Sequence, residues 1–119
     1  MRVFKTKWFN KAAKAHNIND SELYRAIAAV KQGKGSDFGG GVYKHRLNPN
    51  RDRAIILAKG GERWFYTFLY AKQDMKNIDL RELAGFCELT KYYATLNDEK
   101  VKVLINSKEL VEISHDYKN

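Results

Sequence analysis

The sequence predicts an α+β fold: an N-terminal strand and helical hairpin, a three-stranded antiparallel meander, and C-terminal helices packed on the sheet. Three observations carry this expectation. Between Gly39 and Lys72 lie three runs rich in β-branched and aromatic residues, separated by Asn48-Pro49-Asn50 and by Gly60-Gly61. On either side of that stretch, apolar residues recur at helical spacing behind residues suited to cap a helix. A chain of 119 residues, 44% apolar and 30% charged, has the length and composition of one folded domain over residues 1–119 with a single two-layer core.

Arg2 to Lys5 is β-prone and leads into Thr6, an N-cap for a helix with Trp8, Phe9, Ala12 and Ala13 on one side and Lys7, Lys11 and Lys14 outward. His16 and Asn17 form its exit. Asn19 and Glu22 have the spacing of a capping box, and Leu23, Ile27 and Val30 recur at i, i+4 and i+7, which predicts a second amphipathic helix ending at Gly33. Such an αα-hairpin must lay its apolar stripe on the sheet. Lys34 to Gly41 reads as a flexible lead-in; its three glycines either let the backbone approach a phosphate or permit a sharp change of direction.

Val42 to Leu47 is the first long strand, and alternation puts Val42, Lys44 and Arg46 on one face, with Tyr43, His45 and Leu47 on the other. Arg53 to Ala58 returns as an apolar strand with Arg53 near the turn. Arg63 to Lys72 is apolar on both faces, as expected of a central strand, with Tyr66, Tyr70 and Lys72 of one parity. Asp79 and Glu82 open a helix whose broad apolar face holds Leu80, Leu83, Phe86, Cys87, Leu89 and Tyr93. Asn97-Asp98-Glu99 starts a shorter helix with Val101, Leu104 and Ile105 inward, and Lys108 to Ile113 forms a final edge strand.

The formal charge of +8 draws polyanions, nucleic acid among them, although basic proteins also carry such charge for solubility alone. One cysteine, Cys87, excludes an internal disulfide and a cysteine-rich zinc site; within a helical pattern it reads as a packed thiol rather than a nucleophile. The histidines stand apart at 16, 45 and 115, so no metal-ligand spacing occurs and no cofactor is expected. The N-terminus lacks a signal-peptide core and no apolar run reaches membrane-spanning length, so a cytoplasmic protein is expected.

The element order, with GGGVYKHR, DRAIILAKGGERWFYTFLYAKQDMKNI and KELVEI, resembles the RelE/HigB superfamily of bacterial type II toxins, in its RelE-like addiction-module branch. The resemblance spans residues 2 to 114. It implies a RelE-like fold and a ribosome-dependent mRNA endoribonuclease that works in the ribosomal A site without metal and inhibits translation. It also implies a cognate antitoxin, of helix-turn-helix type in HigB-like members. Family toxins place basic residues on the strand that here reads Val42-Tyr43-Lys44-His45-Arg46, which makes Lys44 and Arg46 the matching cations. Arg53 matches an arginine at the start of the next strand, and Lys72 a lysine at the end of the last central one. Two departures stand out: Gln73 replaces an arginine that follows that lysine, and Asp79 replaces a tyrosine used by some members. Tyr70, Asp74 and Lys76 are local substitutes.

Attack by a 2′-hydroxyl needs a base, positive charge on the phosphorane oxygens, and an acid for the departing 5′-oxygen. Lys44, Arg46, Arg53 and Lys72 suit the second role, and crowded cations lower one another's pKa enough for a lysine to serve in the others. Tyr70 either orients a base, donates a proton or belongs to the core. His45 has the pKa of a general base but points away from Lys44 under strict alternation, leaving a structural or RNA-contact role, while Lys76 is an RNA contact. The alternatives are a ParE-like inhibitor of DNA gyrase, which would lack this cation set, and an RNA-binding module without turnover.

Overall fold

A computed structural model of the chain describes residues 2–47, 53–71 and 79–113, with 53, 54, 70 and 71 known by backbone pairing alone. The elements run β1 (Arg2–Thr6), α1 (Lys7–Ala15), α2 (Asp20–Lys31), β2 (Ser36–Gly39), β3 (Val42–Arg46), β4 (Arg53–Gly60), β5 (Arg63–Ala71), α3 (Leu80–Ala94), α4 (Asp98–Asn106) and β6 (Leu110–Glu112). Each helix begins where a side chain satisfies a free amide of its first turn. Thr6 accepts from the Phe9 amide, Asn19 from Glu22, Asp79 from Glu82 and Asn97 from Lys100, at 2.8 to 3.2 Å. Each cap contributes about 1 kcal/mol.

The strands form one sheet in the order β2-β3-β4-β5-β1-β6. Its pairings are antiparallel except β1 with β5, which run parallel because the α1–α2 hairpin and the β2–β4 strands separate them in the chain. Strand β2 lies in the segment expected to be a flexible lead-in. Gly40 and Gly41, at φ 61° and 81°, supply the left-handed pair that a two-residue hairpin needs, and Ser36–Gly39 folds back on β3 as an edge strand. The glycine run therefore serves a change of direction and close packing. A Cβ on Gly40 would sit 3.1 Å from Cys87 Sγ, and one on Gly41 2.7 Å from Thr90 Cγ2 and 2.8 Å from the Lys59 carbonyl oxygen.

The single two-layer core expected from the chain length is replaced by two apolar clusters, one on each face of the sheet. Alternation along β1 sends Val3 to one side and Phe4 to the other. On the first side, Val3, Ile55, Leu57, Trp64, Tyr66 and Leu69 pack with Phe9 of α1 and Leu23, Ile27 and Val30 of α2. On the second, Phe4, Ala58 and Phe65 pack with Tyr93, Leu96, Val101 and Leu110. Strand β5 is central and covered on both faces, as its composition predicts.

One expectation fails in this region. Register shifts between Ile56 and Leu57, which pair with Phe68 and Tyr66 respectively, so Thr67 is an extra residue and its hydroxyl donates to the Ile56 carbonyl at 2.9 Å. Phe68 consequently leaves the face of Tyr66: Tyr66 stacks on Phe9, whereas Phe68 stacks on Trp8 and meets Phe86. The even count that grouped Tyr66 with Tyr70 and Lys72 breaks at this bulge. Helix α3 packs on the sheet as expected, burying part of its broad apolar face. Thr90 and Tyr93 are buried, Leu83, Phe86, Cys87 and Leu89 half-buried, and Leu80 is 85% exposed. The glycine turns pack against the helix at Cys87, Thr90 and Tyr93, and Phe86 meets Phe68 of the sheet.

Candidate RNA-cleavage site

Strand β3 presents Lys44 and Arg46 on one face and His45 on the other, because Tyr43 and Leu47 belong to the core beneath α1 and α2. Lys44 and Arg46 are spaced about 7 Å apart along the strand. Pairing across the sheet places Arg46 opposite Ala54, and Ala54 opposite Tyr70; one step inward run Lys44, Ile56 and Phe68. Arg53 opens β4 one residue beyond Ala54 and pairs with Ala71 at the end of β5. The backbones of Arg46, Arg53 and Tyr70 thus meet at the end of the sheet where β3 finishes, β4 begins and β5 finishes. Adjacent strands there lie about 4.8 Å apart. Lys72 and Lys76, and with them Gln73 and Asp74, lie outside the described residues.

Arg46 is exposed and Lys44 half-buried. The Lys44 ammonium stands 5.3 Å from the ring centroid of Phe38 on β2, a cation–π distance that holds the charge at the sheet edge without neutralising it. His45 packs on the turn before β2: a Cβ on Gly35 would lie 3.2 Å from its Nδ1. Burial, and secondarily the charge of Lys34, push the His45 pKa below that of an ordinary histidine.

The family model for the RelE toxin of the RelE/RelB toxin–antitoxin system matches residues 1–113. The chain belongs to the RelE toxin family. No curated protein and no solved structure matches it. Membership makes the chain a toxin of a toxin–antitoxin pair, with an antitoxin as partner. Among the described residues no helix is long and apolar enough to cross a membrane, and no group of histidine, cysteine and carboxylate side chains has the arrangement of a metal site.

Sequence reasoning missed one member of the toxin's cationic edge. Phe38 was obscured in KGSDFGGG, where glycines on both sides argue for a loop; the single aromatic in that polar run was the available signal. Asp37 completes the local geometry by accepting the Gly39 amide at 2.8 Å, which bends β2 and turns the chain back toward β3. Cys87 is half-buried against Gly40, the setting of a packed thiol.

Proposed function

We propose that this toxin is a ribosome-dependent mRNA endoribonuclease that cuts by attack of the 2′-hydroxyl without a metal ion, thereby inhibiting translation. The observation that carries the reading is the pair Lys44 and Arg46 on one face of β3, at the sheet end shared with the backbones of Arg53 and Tyr70. In the reaction the 2′-oxygen forms a bond to phosphorus as the bond to the 5′-oxygen breaks, leaving a 2′,3′-cyclic phosphate and a 5′-hydroxyl. Negative charge grows on the non-bridging oxygens, and Lys44 and Arg46, joined by Arg53 and Lys72, are the cations offered to it. Tyr70 is assigned to base stacking or protonation of the 5′-oxygen, and Lys76 to the RNA backbone. His45, turned toward the α1–α2 face, is assigned to holding β3 rather than to proton transfer. The toxin acts in the cytoplasm on mRNA in the ribosomal A site and is restrained by a cognate antitoxin of helix-turn-helix type.

The deciding experiment is primer extension on an mRNA under translation, with and without the purified toxin. New 5′ ends at one position within successive codons are expected. Growth arrest accompanied by intact mRNA and inhibited DNA gyrase would replace the nuclease with a gyrase inhibitor.

A further inference from the structure

Phe38 is a large apolar side chain on an otherwise exposed edge strand, and among the described residues it packs in neither apolar cluster of the sheet. Its ring is half-buried, with the Lys44 ammonium 5.3 Å from the centroid. Elsewhere such contacts have another origin. Arg2 lies over Phe4 and Lys59 over Trp64, but those rings are buried in the core, and packing fixes them whether or not a cation is present. At Phe38 the core makes no such demand, so the contact with Lys44 is what the ring has to do.

The backbone aims it. Ser36 pairs with Lys44, Asp37 with Tyr43 and Gly39 with Val42, which makes Phe38 the extra residue of a bulge, a device that re-aims one side chain at a sheet edge. Asp37 Oδ1 accepts the Gly39 amide at 2.8 Å, and Gly40 and Gly41, in left-handed backbone, close the hairpin against Cys87 and Thr90 of α3. The ring is thus held by its strand, whereas the lysine that meets it is a charge on a flexible four-carbon stem. A carboxylate in that place would neutralise the ammonium and take up its donors. An aromatic face attracts the ammonium through its quadrupole and leaves N–H groups for phosphate oxygens.

We propose that Phe38 is a positioning residue for RNA cleavage: its ring holds the Lys44 ammonium where negative charge develops on the scissile phosphate, and Phe38 itself does not touch the RNA. The inference rests on the ribonuclease reading and on Lys44 within it, and adds a residue that acts through that lysine. The effect belongs to the transition state. A loosely held ammonium still attracts RNA, but it must be ordered as the phosphorane forms, and that ordering is read in the rate at saturation.

The test is single-turnover cutting of mRNA on programmed ribosomes over a range of toxin concentrations, which separates the saturated rate from the half-saturating concentration. Phe38→Leu should lower the saturated rate about tenfold, leave the half-saturating concentration within about twofold and keep the melting temperature within about 2 °C. Phe38→Tyr, which keeps the ring face, should restore the rate, and in a Lys44→Ala background Phe38→Leu should cause no further loss. Ring current should move the Lys44 Hε protons upfield in the unaltered toxin, a shift that Phe38→Leu removes. Lys44 protons without that shift in the unaltered toxin would overturn the inference whatever the stability of the variants. So would a full rate in Phe38→Leu, or a Phe38→Tyr as slow as Phe38→Leu. A loss that persists in Lys44→Ala and falls on the half-saturating concentration would make Phe38 an RNA-stacking residue instead. Full-rate cutting by Lys44→Ala, or no cutting by the unaltered toxin, would overturn the reading on which the inference rests.

Discussion

Lys5 Nζ donates to Asp20 Oδ1 at 2.8 Å, joining the first strand to the start of the second helix through a side chain only 9% exposed. Alternation along β1 aims Lys5 at α2, where the Tyr66 hydroxyl donates to the Leu23 carbonyl nearby. Asp20→Ala leaves a buried ammonium without its carboxylate and should cost about 2–4 kcal/mol, toward the lower end because Asp20 is itself partly solvated. Lys5→Met, which removes the charge and keeps the stem, should cost less than half as much. Urea melts of the two variants check this. Equal losses would mean that the pair acts through packing alone.

Gly41 combines a left-handed backbone with two close neighbours, Thr90 Cγ2 and the Lys59 carbonyl oxygen. Gly33 has a comparable φ of 89° and nothing within 4 Å of the position a Cβ would take. Gly33→Ala should therefore cost only the conformational penalty, about 1 kcal/mol, whereas Gly41→Ala should cost about 3 kcal/mol or more. Removing the Thr90 methyl with Thr90→Ser should recover only part of the Gly41→Ala loss, because the Lys59 oxygen is backbone. Full recovery would show that the side chain alone fills the space.

Alkaline pH should weaken the fold through two buried tyrosines. Burial, with Tyr92 adding to it, pushes the Tyr93 pKa up to about 12, and burial with the charge of Asp20 raises Tyr66 well above an ordinary phenol. Both shifts are upward from an unfolded value near ~10, so the stabilisation is complete below ~pH 10 and is lost as pH rises through the folded values. For Tyr93 the loss approaches about 2–3 kcal/mol by ~pH 12. Tyr93→Phe keeps the stack on Phe65, whose centroid lies 3.9 Å away, and should make the decline shallower between ~pH 10 and ~pH 12. Chemical denaturation at stepped pH measures it. The same slope in the variant would assign the decline to other groups.

The parts of the fold legible in the sequence are those written locally. Thr6, Asn19, Asp79 and Asn97 cap the helices that their spacing announces, and the Gly60-Gly61 turn joins β4 to β5. Strand β2 was illegible because its hydrogen bonds come from β3 and its composition is that of a loop. The Thr67 bulge was hidden for a similar reason: an extra residue in an all-apolar strand leaves no break in pattern, and only the partner strand reveals it. Helix α3 was read as packing on the sheet, which it does through Thr90 and Tyr93, but apolar content alone does not tell how much of its broad face is covered. At the candidate site, the parity of Lys44, His45 and Arg46 follows from strand geometry, while the ring of Phe38 beneath Lys44 depends on the unforeseen strand.

Lys44 and Arg46 share a face that His45 does not, and this separation predicts opposite consequences for three adjacent positions. Arg46 is exposed, so Arg46→Ala should leave the melting temperature within about 2 °C while lowering the rate of in-frame mRNA cutting by about 10²–10³, the scale of one lost transition-state charge contact. Lys44→Ala should lower cutting similarly and soften the β2 edge, because its ammonium also sits over Phe38. His45→Asn should instead destabilise the fold by about 1 kcal/mol through looser packing on the Gly35 turn, with cutting reduced less than tenfold. The pH profile adds a check independent of rate. The His45 pKa is lowered, so its stabilising share is present above ~6.5 and lost as pH falls through the folded value, an acid-side weakening that His45→Asn should remove. Cutting abolished in the stable His45 variant, with full activity in Arg46→Ala, would move the chemistry to the opposite face of β3.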